Sequence, residues 1–151
     1  MGVTVGTDDG RPIVRGVILD DSGTEVGEIQ HLTDLRNDVR TQLDELAKAF
    51  ETAIEGNPPE PIVIRLGRIR FWESRVTTAT RARAEGVLVA TCRDRGIHVL
   101  VMNGDEIAKA VGEDGGSPDK AAKGWASKDF VEAGAAALAA HSIAQRGGPS
   151  G

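Results

Sequence analysis

The order of apolar and polar positions predicts three strands before the first helix. Val3-Thr-Val5 is a short β-prone run that stops at the turn signal Thr7-Asp-Asp-Gly10. Pro12 to Leu19 is a second run, rich in Ile and Val, closed by Asp20-Asp-Ser-Gly23. Asp and Gly tolerate the positive φ angles of a tight turn, so this closure reads as a hairpin. Thr24 to Leu32 alternates loosely around Val26 and Ile29 and reads as a third strand. Together the three predict an antiparallel meander.

The period then changes. From a cap at Thr33 or Asp34, Leu35, Val39, Leu43, Leu46, Phe50 and Ile54 recur at three- and four-residue steps, one apolar face of a helix. Asp34, Asp38, Asp44, Glu45 and Glu51 fall on the opposite face, and Gly56-Asn-Pro-Pro59 stops the helix. Pro61 to Leu66 is a compact apolar strand, and Arg68 to Val76 reads equally as loop or strand extension. Thr77 to Arg95 predicts a second helix, stopped by Gly96. Ile97 to Met102 has the continuous apolar character of a strand covered on both faces, with His98 as a core residue. A short helix over Glu106–Val111, a loop over Gly112–Pro118 and an Ala-rich helix over about Lys128–Gln145, capped by Ser127, complete the pattern. Strands followed by alternating helix and strand imply one mixed five-stranded α/β sheet, in the order βββαβαβα. Residues 1–145 are expected to form a single domain, with 146–151 as a flexible tail.

Composition narrows the classes. The 151 residues are 40% hydrophobic and 27% charged, which suits a folded domain. A single cysteine, Cys92, excludes an internal disulfide framework and reads as a buried small hydrophobe. No apolar run nears the roughly 20 residues of a membrane helix, and no secretory pattern opens the chain, so a cytoplasmic location is expected. The net charge of −5 is unevenly spread: −8 over residues 1–60, +5 over 61–100 and −2 over 101–151. The bases of the middle segment are all arginine, so the net number does not exclude nucleic acid as partner.

Several local stretches carry a resemblance. Gly6-Thr-Asp8-Asp-Gly10, followed by Arg15-Gly-Val-Ile-Leu19, resembles the first two strands of the RuvC-type Holliday-junction resolvases, which have a ribonuclease H-like fold. Ala82-Arg-Ala-Glu-Gly86-Val-Leu-Val is similar to their central helix. Asp129-Phe-Val-Glu132-Ala133 resembles their C-terminal Asp-x-x-Asp-Ala, with Glu132 in place of the second aspartate. The resemblance implies a Mg²⁺- or Mn²⁺-dependent nuclease of structured DNA, working as a homodimer on a branched junction. It implies Asp8, Asp129 and Glu132 as catalytic residues and metal ligands. Mg²⁺ prefers such hard oxygen donors, and paired metals activate the attacking water and stabilise the leaving oxygen. Arg65, Arg68, Arg70, Arg75, Arg81 and Arg83 are the corresponding candidates for tracking phosphates.

The chain departs from that pattern where it matters. The family expects a glutamate at the end of the fourth strand, and Arg65 stands there. Such an arginine could pair with Asp8 in place of a metal, and Glu73 could reach back toward the site. Little room is left before the last helix for the family's penultimate helix. The second reading is therefore a catalytically inactive ribonuclease H-like binding or assembly module. Local alternatives also stand. Asp8 and Asp9 suit the turn before Gly10, Asp129 a helix start, and the arginines a solvated, salt-bridged face. Phe71 and Trp72 suit either stacking on bases or cover of the core edge. Gly112-Glu-Asp-Gly-Gly116 lacks the Gly-Lys-Ser/Thr ending of a phosphate loop.

Overall fold

The computed structural model describes residues 1–55, 60–67, 72–112 and 117–147. The expected meander is present as β1 (Gly2–Asp8), β2 (Arg11–Leu19) and β3 (Glu25–Leu32). Helix α1 spans Val39–Ala53, β4 Ile62–Arg65, α2 Arg75–Asp94 and β5 Val99–Met102. The chain ends with α3 (Gly104–Val111), α4 (Pro118–Lys123), a single 3₁₀ turn (Lys128–Phe130) and α5 (Val131–Arg146). The sheet order is β3-β2-β1-β4-β5. β1 pairs antiparallel with β2 and parallel with β4, and β5 continues the parallel half.

Alternation along the central strands assigns the two faces. Val3, Val5, Ile62 and Ile64 pack with Leu46 and Phe50 of α1 and Ala84, Leu88 and Cys92 of α2. Their neighbours Gly2 and Val63 turn the other way, toward α5. There the sheet meets a helix whose buried residues are all alanine or glycine. Burial pushes the Cys92 thiol up to about 11, as suits a small residue of the core.

Four expectations are corrected. Helix α1 starts at Asp38, whose carboxylate accepts the Thr41 N–H at 2.8 Å, rather than at Thr33 or Asp34. Thr33 is buried, with its hydroxyl donating to the Pro12 carbonyl, while Asp34 accepts from the backbone N–H and guanidinium of Arg36. That paired guanidinium holds the Asp34 carboxyl down at about 2. Leu35 and Val39 continue the apolar period but are exposed. The second correction is α4, a helix just after the expected Gly112–Pro118 loop, in a stretch for which no element is expected. Its signal is Ser117-Pro118-Asp119: a cap residue, proline at the first turn and an acid near the dipole's positive end. Thirdly, Ser127 does not cap the last helix, because its hydroxyl donates to Glu28 on β3. A 3₁₀ turn therefore precedes α5. Lastly, His98 precedes β5 and is exposed rather than part of the core. Among the described residues, no helix is long and apolar enough to cross a membrane.

Candidate functional site

The carboxyl ends of parallel strands are where open α/β sheets gather chemistry. Here the ends of β4 and β5 open into a polar cavity of about 410 Å³, lined by Arg65, Gly67, Asn103, Asp105, Asp119 and Glu132 among others. Arg65 is part of its wall. Its guanidinium donates to both carboxylate oxygens of Asp119 on α4, at 2.6 and 3.3 Å. This forked pairing fixes both planes and is the strong form of an ion pair. The Arg65 side chain is 14% exposed and that of Asp119 39%. Gly104 lets the guanidinium lie there, since a Cβ on it would meet Nη2 at 3.2 Å. A second, smaller cavity of about 220 Å³ shares Arg65, Gly104, Asp105 and Asp119, so the ion pair forms a partition between the two. Asn103 and Glu106 close a capping box at the start of α3, which holds that wall rigid.

The expected metal ligands lie in different places. Asp8 ends β1 and pairs with Arg11 at 3.4 Å, and Arg11 also donates to the Thr33 carbonyl. The β1–β4 register sets Thr4 opposite Arg65. Asp8 shares that face but lies four residues on, about 13 Å farther along the strand at ordinary strand rise. Asp129 sits exposed in the 3₁₀ turn. Its neighbours there face the sheet's other half, Ser127 at Glu28 and Phe130 against the Val17–Leu19 cluster. Only Glu132 reaches the Arg65 cavity. Among the described residues, no three His, Cys, Asp or Glu side chains come together as a group able to hold a metal ion. A fixed guanidinium in the cavity adds positive charge where a divalent cation needs oxygen donors. The donor set therefore does not fit a Mg²⁺ or Mn²⁺ centre. The expected pairing of Arg65 with Asp8 is replaced by pairing with Asp119.

The arginine candidates divide in the same way. Arg65 and Arg81 are engaged inside the molecule, Arg81 with Glu73 at 2.6 Å and 11% exposed. Glu73 thus turns to α2 rather than back toward Arg65. Arg75 and Arg83 are exposed on α2. Arg68, Arg70 and Phe71 lie outside the described residues. Trp72 is 69% exposed, so it does not cover the core edge.

One residue here escapes sequence reasoning. Glu85 is buried on α2 and accepts the Gly67 N–H at 3.0 Å, bracing the chain just beyond β4. Burial raises its pKa, partly opposed by that hydrogen bond and by the Arg81 charge. A carboxyl raised in the folded state favours folding while protonated. That contribution fades as pH rises from the unfolded value, near 4.5, through the raised folded one. Glu85→Gln keeps an acceptor for Gly67 and removes the charge. Its stability relative to wild type is expected to improve steadily with pH across this range and then level off. Urea midpoints at a series of pH values check it; a gap that does not change with pH contradicts the buried charge.

Comparisons with known proteins agree with this architecture. A RuvC structure from Thermus thermophilus matches with a TM-score of 0.67 at 12% identity, over 96% of each chain. Another, T. thermophilus RuvC in complex with Holliday junction substrate, matches with a TM-score of 0.69 at 14% identity, over 98% of this chain and 97% of that one. No family model and no curated protein matches the sequence. At such identity the likeness shows the fold, and the ribonuclease H-like sheet expected from the sequence is the one observed.

Proposed function

We propose that this chain is a ribonuclease H-like binding or assembly module, with an arginine–aspartate pair in the place of a metal centre. The observation that carries this reading is the forked Arg65–Asp119 pair at the end of β4. A guanidinium stays protonated at any physiological pH, so it neutralises Asp119 permanently and opposes a divalent cation beside it. The strand framework and the cavity are kept, while among the described residues no group of side chains able to hold a metal ion comes together, as two-metal hydrolysis would require.

The second reading is a divergent, metal-dependent nuclease on structured DNA, with Asp8, Asp129 and Glu132 as ligands. It is favoured by Glu132 lining the cavity at the ends of β4 and β5, and by the fold shared with a RuvC in complex with a Holliday junction. There Arg75 and Arg83, exposed on one helix, would meet phosphates of branched DNA, and a homodimer would match a two-fold junction.

Incubation with branched, flapped and single-stranded DNA and with RNA–DNA hybrid, in Mg²⁺ and in Mn²⁺, separates the two. No cleavage above background is expected, and none that changes in Asp8→Asn. Cleavage that disappears in Asp8→Asn overturns the module reading and establishes the nuclease.

A further inference from the structure

Helix α2 turns one side inward, where Thr80, Ala84, Leu88, Thr91 and Cys92 are buried. At about 100° per residue, Arg75, Ala82, Gly86, Ala90 and Arg93 fall on the opposite side, with Arg83 beside them. All six are exposed. The three arginines are eight and ten residues apart, about 12 and 15 Å along the axis.

The positive charge of this face is not balanced by the helix itself. Arg81 is engaged with Glu73, and Glu85 is buried on the inner side, where it accepts the Gly67 N–H. Among the described residues of α2, only Asp94, the last, is an exposed acid. A solvated helix face commonly sets acids four residues from its bases. Within α2 the positions four residues from the three arginines are Ala79, Val87 and Val89, all apolar. Among the described residues, the side chains of Arg75, Arg83 and Arg93 have no ion-pair partner.

Between the arginines the face offers only methyl groups and bare backbone. Val76, at its edge, is 73% exposed. A Cβ added at Gly86 would meet nothing within 4 Å, so the middle of the face is open. A sugar–phosphate chain could pair with the arginines but would leave this apolar surface uncovered, since nucleic-acid interfaces are strongly polar. The net charge of −5 also opposes a polyanion more than it opposes a helix with a few carboxylates. An acidic amphipathic helix satisfies both the charges and the apolar surface between them.

We propose that this outer face of α2 binds an acidic amphipathic helix of a partner protein. The partner's carboxylates pair with Arg75, Arg83 and Arg93, and its small and apolar residues rest on Ala82, Gly86 and Ala90. This rests on the module reading and names the chemistry of the module's partner. The two fail separately, because peptide binding and DNA cleavage are measured independently.

Fluorescence anisotropy on the whole chain, with a labelled helical peptide of about 20 residues, tests this. The peptide carries alanine and leucine on one face, with glutamates on that face at the spacing of the three arginines. Saturable binding is expected. A peptide of the same composition with its glutamates moved to the opposite face should bind about tenfold or more weakly, and so should one with glutamine in their place. Arg83→Glu should weaken binding by about tenfold. Gly86→Gln, for which the chain has room, should weaken it by about fivefold by holding the partner helix away. Both substitutions are on the surface and should retain the native circular dichroism. Amide shifts of the wild-type protein, followed by NMR during peptide titration, should move along α2, and they decide the matter if the variants misfold. Several results would overturn the proposal. They are absence of saturable binding, indifference to where the glutamates stand (a diffuse charge effect), unchanged affinity in folded Arg83→Glu or Gly86→Gln, and shifts that spare α2. A DNA oligonucleotide that displaces the peptide and binds this face more tightly assigns it to nucleic acid. Light scattering that shows the chain dimerising through α2, with no competition from the peptide, assigns it to a second copy. Either of these also overturns the proposal.

Discussion

Gly2→Val is expected to lower the unfolding free energy by about 3 kcal/mol, the upper end of what overpacking usually does. Gly2 lies on β1, between β2 and β4, and faces α5. A Cβ at this position runs into backbone atoms of Ala133, Ala136 and Ala137. Backbone cannot turn aside as a side-chain end can, so β1 and α5 must separate along their contact. Gly16 is the internal control. A Cβ there meets the Cγ1–Cδ1 arm of Ile29 and the end of Met1, side-chain atoms that can turn, and Ile29 lines an open cavity of about 450 Å³. Gly16→Ala should therefore change stability by only about 1 kcal/mol. Urea unfolding of the two variants measures both. A Gly2→Val protein within about 0.5 kcal/mol of wild type contradicts the close approach of α5.

Arg65→Ala is expected to destabilise by about 2–3 kcal/mol, between the values for exposed and fully buried pairs. The reason is what remains. Without the guanidinium, Asp105, Asp119 and Glu132 share one cavity with no cation among its described lining residues. Asp119→Ala should do less damage, about 1–2 kcal/mol, because Arg65 still has Glu132 and Asp105 nearby. The double variant should recover part of the sum, giving a coupling of about 1–2 kcal/mol. Arg65→Lys is expected to behave more like the alanine variant than like wild type, since a point charge cannot reproduce the fork. The cycle is read from urea unfolding of the four proteins. Equal effects of Arg65→Ala and Asp119→Ala would mean that the remaining carboxylates do not feel one another.

Much of the fold is legible in the sequence because strands and helices here are marked by local patterns. The turns at Asp8–Gly10 and Asp20–Gly23 delimit the meander, and Leu43, Leu46, Phe50 and Ile54 mark the buried side of α1. The start of α1 misleads because Leu35 and Val39 extend the period into exposed residues, where no core enforces it. α4 is missed because six residues are too few for a period to show, although its cap signature is present. The site divides along the same line. Arg65 stands out by its place at the end of an apolar strand. Asp119 does not, because the two are 54 residues apart and no local spacing joins them. Asp8, Asp129 and Glu132 fit a motif in order, yet strand register and a 3₁₀ turn direct them apart.

The alanine and glycine face of α5 also bears on the entropy of folding. A buried leucine or methionine gives up rotamer freedom when it is fixed, whereas alanine and glycine have none to lose. The helix that contacts β1, β2 and β4 can therefore dock with almost no side-chain ordering, and alanine already favours the helical backbone. The same residues offer little apolar area apiece, so their attraction comes from dispersion at short range. Attachment of α5 is thus favourable only at close quarters. A small outward shift forfeits much of it, and α5 is expected to dock in a single position rather than slide among several.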